Sequence, residues 1–159
     1  MKHLPKHLRP RWRYLAVGIE SWPDTAVGRS EFQRHLWYAA QNLFGDAASA
    51  DLDLTVIGFE LDDGCGYAIV RTRRDEVDRA RAAVACLDGI DGQELGLRVR
   101  GVSGTVRACE EKYLGADPEA PDQRTVTFEG GERTAVVRDG RYDVTVDSAF
   151  AGATELDFE

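Results

Sequence analysis

Apolar and polar residues alternate through residues 13–21 (Arg-Tyr-Leu-Ala-Val-Gly-Ile-Glu-Ser), which puts Leu15, Val17 and Ile19 on one face. A period of two predicts a half-buried strand. Trp22-Pro23-Asp24 ends it. From residue 30 the period changes: Phe32, Leu36, Ala39, Ala40, Leu43 and Phe44 fall on a helical stripe, and Ser30 and Gln33 have capping-box spacing. Gly45 suits the position just past a helix end, so a helix is predicted over 30–44. Residues 52–61 and 67–73 read as two strands joined by the loop Asp62-Asp63-Gly64-Cys65-Gly66. Asp75 is placed to cap a second helix with Val77, Ala80, Val84 and Leu87 on one side. A fourth strand is predicted over 95–102, and a short third helix starts at Thr105 or Val106 and ends at Leu114.

The order β-α-β-β-α-β-α predicts an α+β fold: a ferredoxin-like, RNA-recognition-motif-like β-α-β-β-α-β sandwich with an extra C-terminal helix. Three regions follow. Residues 1–12 form a basic extended arm, because Pro5 and Pro10 rule out a continuous helix there. Residues 13–114 form the ferredoxin-like domain. Residues 115–159 form an acidic linker and tail carrying 11 acids and 4 arginines, with turn signals at Glu129-Gly130-Gly131-Glu132 and Asp139-Gly140. Short hairpins and disorder both remain open for this tail.

Charge sharpens the picture. The first thirteen residues carry five cations (Lys2, Lys6, Arg9, Arg11, Arg13) and no acid, while the remaining 146 hold 15 Lys/Arg against 28 Asp/Glu. A +5 arm is thus joined to a −13 body. Polyanions are bound by local Arg/Lys clusters that displace counterions, so the arm is the candidate RNA contact in spite of the net charge of −8. Seventeen of the 20 cations are arginine, and abundant acid with scarce lysine matches the composition of salt-adapted proteins. No apolar run approaches a membrane span, and no apolar stretch follows the basic amino terminus as in a secretory signal, so the expected location is cytoplasmic. Cys65, Cys86 and Cys109 show no Cys-x-x-Cys spacing, which argues for reduced thiols and against a metal site.

Protein-based catalysis finds little support. His3 and His7 lie on the arm and His35 mid-helix, none beside a motif acid or nucleophile, and no phosphate-cradling loop or nucleophile elbow is present. Gly66-Tyr67-Ala68-Ile69-Val70 faintly echoes an RNA-stacking strand but lacks its flanking basic and aromatic residues, so Tyr67 reads as a packed strand residue. Arginines on strands say more. Alternation puts Arg71 and Arg73 on one face of their strand and Arg98 and Arg100 on one face of theirs, suited to forked contacts with phosphates. Ser103-Gly104-Thr105 could offer N–H groups to a phosphate or simply cap the helix carrying Arg107.

Arg11-Trp12-Arg13-Tyr14-Leu15, Gly66-Tyr67-Ala68-Ile69-Val70-Arg71, and Val102-Ser103-Gly104-Thr105-Val106-Arg107 running into Glu110-Glu111-Lys112-Tyr113-Leu114 together carry a resemblance. In this order they resemble the archaeal ribonuclease P protein component 2 family, relatives of a small subunit shared by eukaryotic ribonuclease P and the mitochondrial-RNA-processing ribonuclease. The likeness spans residues 1 to about 115 and leaves out the acidic tail. It implies a ribonucleoprotein endonuclease that removes the 5′ leader of precursor tRNA, with Mg²⁺ held by the RNA component and no cofactor on the protein. It also implies ribonuclease P RNA, a TIM-barrel protein subunit and other ribonuclease P proteins as partners, with self-association in a two-plus-two assembly. On this reading Lys6, Arg9, Arg11, Arg13 and Arg107 face RNA, with Arg71, Arg98 and Arg100 as further contacts. Trp12, Trp37 and Tyr38 are candidates for a protein interface, although Trp37 also suits the core. The competing reading is a ferredoxin-like regulatory or small-ligand-binding domain that binds no RNA.

Overall fold

The computed structural model describes residues 4–115, 121–138 and 140–158. Lys2 and His3 of the arm, most of the linker after Gly115, and Asp139 of the predicted Asp139-Gly140 turn lie outside them.

β1 (Trp12–Ser21) is the centre of the first sheet, and its burial departs from expectation. Residues 15–19 are buried without a break, so β1 is covered on both faces rather than half-buried. Leu15, Val17 and Ile19 enter the main core with Phe32, Leu36 and Ala40 of α1 (Arg29–Phe44) and Ala80, Ala83 and Val84 of α3 (Val77–Ala85). On the other face Ala16 packs with Ile69 and Cys109, and Cys109 belongs to α4 (Val106–Tyr113).

Between α1 and α3 run α2 (Asp46–Leu52), β2 (Thr55–Asp62) and β3 (Cys65–Arg73); β4 (Gly89–Ile90) and β5 (Gln93–Ser103) follow α3. The strands pair antiparallel in the order β2-β3-β1-β5-β4, which is the ferredoxin-like arrangement with a two-residue strand added at one edge. The β2–β3 hairpin turns on Asp63 (φ 52°) and Gly64 (φ 78°), the positive-φ pair that a tight right-twisted hairpin requires. A bulge between Ala16 and Val17 lets β5 follow the curl of the sheet.

Three local expectations are corrected. α1 begins at Arg29 with Gly28 as N-cap, because Gln33 does not reach back to cap the helix. Its amide instead pairs with the edge of β2, accepting from Val56 N at 2.7 Å and donating to Leu54 O at 3.3 Å. Residues 46–52 form a helix before the second strand starts, so the predicted strand from 52 is shorter at that end. Residues 74–76 form a 3₁₀ turn, and Asp75 sits inside that turn instead of capping α3.

The tail is not left as isolated hairpins. β6 (Asp122–Phe128), β7 (Gly131–Arg138), β8 (Arg141–Val146) and β9 (Ala149–Thr154) pair in sequence as a four-stranded antiparallel meander. Alternation gathers Ala135, Tyr142, Val144 and Ala153 on one face, where Phe158 stacks edge-on to Tyr142 at 4.6 Å. The opposite face docks on the first domain. There Trp22 stacks on Phe150 with centroids 3.8 Å apart, Arg141 pairs with Glu20 at 2.8 Å, and Arg138 bridges Asp143 (2.6 Å) and the carbonyl of Ser21. The acidic sheet is therefore anchored at the Ser21 end of β1, opposite the end from which the arm leaves.

Candidate nucleic-acid interface

The arm leaves the sheet beside β3, where Arg74 N donates to Arg11 O at 3.0 Å and so extends the β1–β3 ladder by one bond. Residues 4–11 are exposed. They are not uniformly extended: Lys6–Leu8 form one 3₁₀ turn closed by Leu8 N to Pro5 O at 2.8 Å, and Arg9 Nε donates to Leu4 O at 2.8 Å. The prolines flanking this turn prevent a longer helix. Arg13 is half-buried and donates to the Trp12 carbonyl at 2.8 Å.

The β1–β3 register, Trp12 to Arg73 and Tyr14 to Arg71, brings two arginines against one indole. Arg71 Cζ lies 4.0 Å and Arg73 Cζ 4.2 Å from the Trp12 ring centroid, within cation–π range. Trp12, a candidate protein contact from the sequence, is thus occupied by its own domain. Arg107, in the first turn of α4, is strongly exposed and pairs with Glu111 at 2.8 Å; a solvent-exposed i,i+4 pair of this kind is weak and opens readily to a competing anion. Ser103-Gly104-Thr105 serves as the helix cap, with Thr105 Oγ1 accepting from Ala108 N at 3.1 Å.

Arg98 and Arg100 do not join this cluster. Arg98 pairs in register with Gly18, six residues along β1 from Trp12, or roughly 20 Å at strand rise. Arg100 lies over Gly18 and approaches Tyr113 O at 3.5 Å. Between the two groups α4 covers the sheet. Tyr67 packs beneath it with Val106, Tyr113 and Leu114, so the face that an RNA-recognition motif leaves open for base stacking is closed here. Burial raises the Tyr67 pKa, with Glu60 adding to it, and burial also raises the Cys109 thiol.

Among the described residues Lys6, Arg9, Arg11, Arg13 and Arg71 make no ion pair with an acid, and the register of Tyr14 with Arg71 and with Ser103, which leads into the helix carrying Arg107, puts Arg71 and the start of α4 at the end of the sheet from which the arm leaves. At the opposite end a cleft of about 700 Å³ between the two sheets is lined by Glu20, Trp22, Asp88, Asp91, Glu94 and Arg138; its acidic lining disfavours a phosphate. Trp37 and Tyr38 are 47% and 50% exposed, so Trp37 is not a core residue, although its indole N–H is tied to Leu54 O at 2.8 Å. The sequence reading missed the Arg–Trp–Arg stack, since alternation shows which residues share a face but not what lies across the ladder. All three cysteines are free, no group of three or more His, Cys, Asp or Glu is arranged to hold a metal, and no helix is long and apolar enough to cross a membrane, each among the described residues.

Fold and charge define a ferredoxin-like domain with one cationic pole and an acidic sheet at the other. Comparison with known proteins makes the class specific. The Rpp14/Pop5 family model matches residues 13–114. Ribonuclease P protein component 2 of Haloarcula marismortui is 61% identical over 160 residues, spanning 99% of both chains. The protein of the same name from Methanosarcina mazei is 37% identical over 114 residues, which is 72% of this chain and 93% of its own. A chain in the cryo-EM structure of yeast ribonuclease MRP superposes with a TM-score of 0.46 at 17% identity, covering 63% of this chain and 79% of that one. This chain belongs to the Rpp14/Pop5 family of ribonuclease P proteins.

Proposed function

We propose that the chain is the protein subunit of an archaeal ribonuclease P that binds and supports the catalytic RNA while the enzyme removes the 5′ leader of precursor tRNA. One observation carries the RNA-supporting role: a chain of net charge −8 bears an acid-free basic arm, whose Lys6, Arg9, Arg11 and Arg13 make no ion pair among the described residues. Such a cluster neutralises closely packed phosphates and lowers the cost of holding RNA in its reactive shape. In this reading the chemistry belongs to the RNA component, which would hold the Mg²⁺ that the reaction needs, and the protein's part is to support that RNA. A TIM-barrel protein subunit, other ribonuclease P proteins and a second copy of this chain are the partners, in the cytoplasm of a halophilic archaeon. The half-exposed Trp37 and Tyr38 on α1 suit a protein contact, because they are aromatic and accessible on the helix surface.

Reconstitution tests this. Precursor tRNA is incubated with the RNA subunit and the TIM-barrel protein at high salt and Mg²⁺, with and without the chain. Restored 5′ processing only in its presence is the expected result. No stimulation, with both partners folded, would move the assignment to a small-ligand-binding domain. Within that assay, Arg11→Ala and Arg13→Ala are each expected to reduce the slope of log affinity against log salt by about one.

A further inference from the structure

We propose that Trp12 is a positioning residue for RNA contact: its indole holds the Arg71 guanidinium ready for a phosphate, while Asp53 engages the neighbouring Arg73. This deepens the ribonuclease P reading and rests on it. Arg71 and Arg73 are two residues apart on β3, so their side chains leave the same face roughly 7 Å apart. Both converge on one ring, at 4.0 and 4.2 Å from its centroid. Two like charges drawn together repel, and the negative faces of the indole offset that repulsion. The arginines then differ in their remaining partners. Arg73 donates to Asp53 at 3.0 Å and so has a carboxylate partner of its own. Arg71 has no acidic partner among the described residues, and its buried Nε has no hydrogen-bond acceptor. A half-buried guanidinium without a counterion is poised for an anion from outside, and the arm beside it already gathers cations suited to a phosphodiester. The indole restricts the rotamers of Arg71 before binding, so less conformational entropy is lost on contact.

The test is the affinity for Haloarcula marismortui ribonuclease P RNA as a function of salt, using the full chain, Trp12→Ala, Arg71→Met and the double variant, each checked for folding by circular dichroism. Arg71→Met removes one phosphate contact and lowers the salt slope by about one. Trp12→Ala removes no charge, yet is expected to weaken binding roughly 3- to 10-fold and to flatten the slope, because Arg71 loses its orientation. In the Arg71→Met background Trp12→Ala should cost nothing further. Should Trp12→Ala fail to fold, Trp12→Leu keeps the apolar bulk without a π-face and carries the same expectation. A loss of affinity with an unchanged slope would mean that Trp12 stacks directly on a base, and one that persists without Arg71 would mean that Trp12 acts on the RNA itself or through Arg73; either would overturn the positioning of Arg71. A folded variant lacking the indole that binds like the unaltered chain would overturn it as well. Failure of the unaltered chain to bind this RNA would overturn the ribonuclease P reading itself and this inference with it.

Discussion

The phenol ring of Tyr113 lies directly on Gly101, in the space that a β-carbon at residue 101 would occupy. Tyr113 is the last residue of α4 and Gly101 pairs with Ala16 of β1, so this contact seats the helix on the second face of the sheet. Gly101→Ala is therefore expected to push α4 off Ala16 and Ile69 and to destabilise the domain by roughly 1–3 kcal/mol, the usual cost of overpacking. Chemical denaturation measures it. An unchanged midpoint would mean that α4 is not held through this contact.

α4 also depends on its first turn. Thr105 Oγ1 accepts from Ala108 N at 3.1 Å, satisfying one of the amides that the start of a helix leaves unpaired. Thr105→Ala should cost about 1 kcal/mol and Thr105→Ser only a small part of that, because the serine hydroxyl caps equally well. The same unfolding experiment reads both, and equal losses from the two substitutions would show that the threonine methyl matters rather than its hydroxyl.

The acidic sheet is held at Arg138, whose side chain is 9% exposed and joins Asp143 to the Ser21 carbonyl. Arg138→Met keeps the length but removes the charge and its donors. Hydrogen bonds to a charged group contribute about 1.5–3 kcal/mol, so docking is expected to weaken while β1 and α1 keep their packing. Amide hydrogen exchange should then quicken at residues 21–25 and 149–154 and stay slow at 15–19. Uniform quickening across the chain would show that the two sheets unfold as a single unit.

Burial raises the Cys109 thiol pKa above its ordinary 9.0, with Glu110 adding to the shift. The folded state thus favours the neutral thiol. That contribution to stability is complete below the ordinary value and is lost as pH rises through the higher folded one. Cys109→Ala should consequently flatten the decline in unfolding midpoint above about pH 9. The exposed Cys86 is expected to react with a thiol reagent in the native protein, whereas Cys109, fully buried between α4 and the sheet, reacts only on unfolding.

The local pattern of the chain determined most of its architecture. Periods of two and 3.6 and the turn signal within residues 62–66 each act within a few residues, so the β-α-β-β-α-β order and the extra helix were legible in the sequence, whereas the run Ser103-Gly104-Thr105 left a helix cap and a phosphate contact equally open. The excess of cations on the arm was legible too, because charge counts need no coordinates. Errors arose where a side chain answered to a distant partner: Gln33 pairs with the edge of β2, and β1 is buried on both faces because α4 returns over it. Tertiary structure alone decided that Arg71 and Arg73 meet on Trp12, that Arg98 and Arg100 lie toward the other end of the sheet, and that β6, β7, β8 and β9 form a docked meander. Each of these depends on strand register or on contacts across the fold. Alternation gives the face a residue occupies, and only pairing across the sheet gives its neighbours.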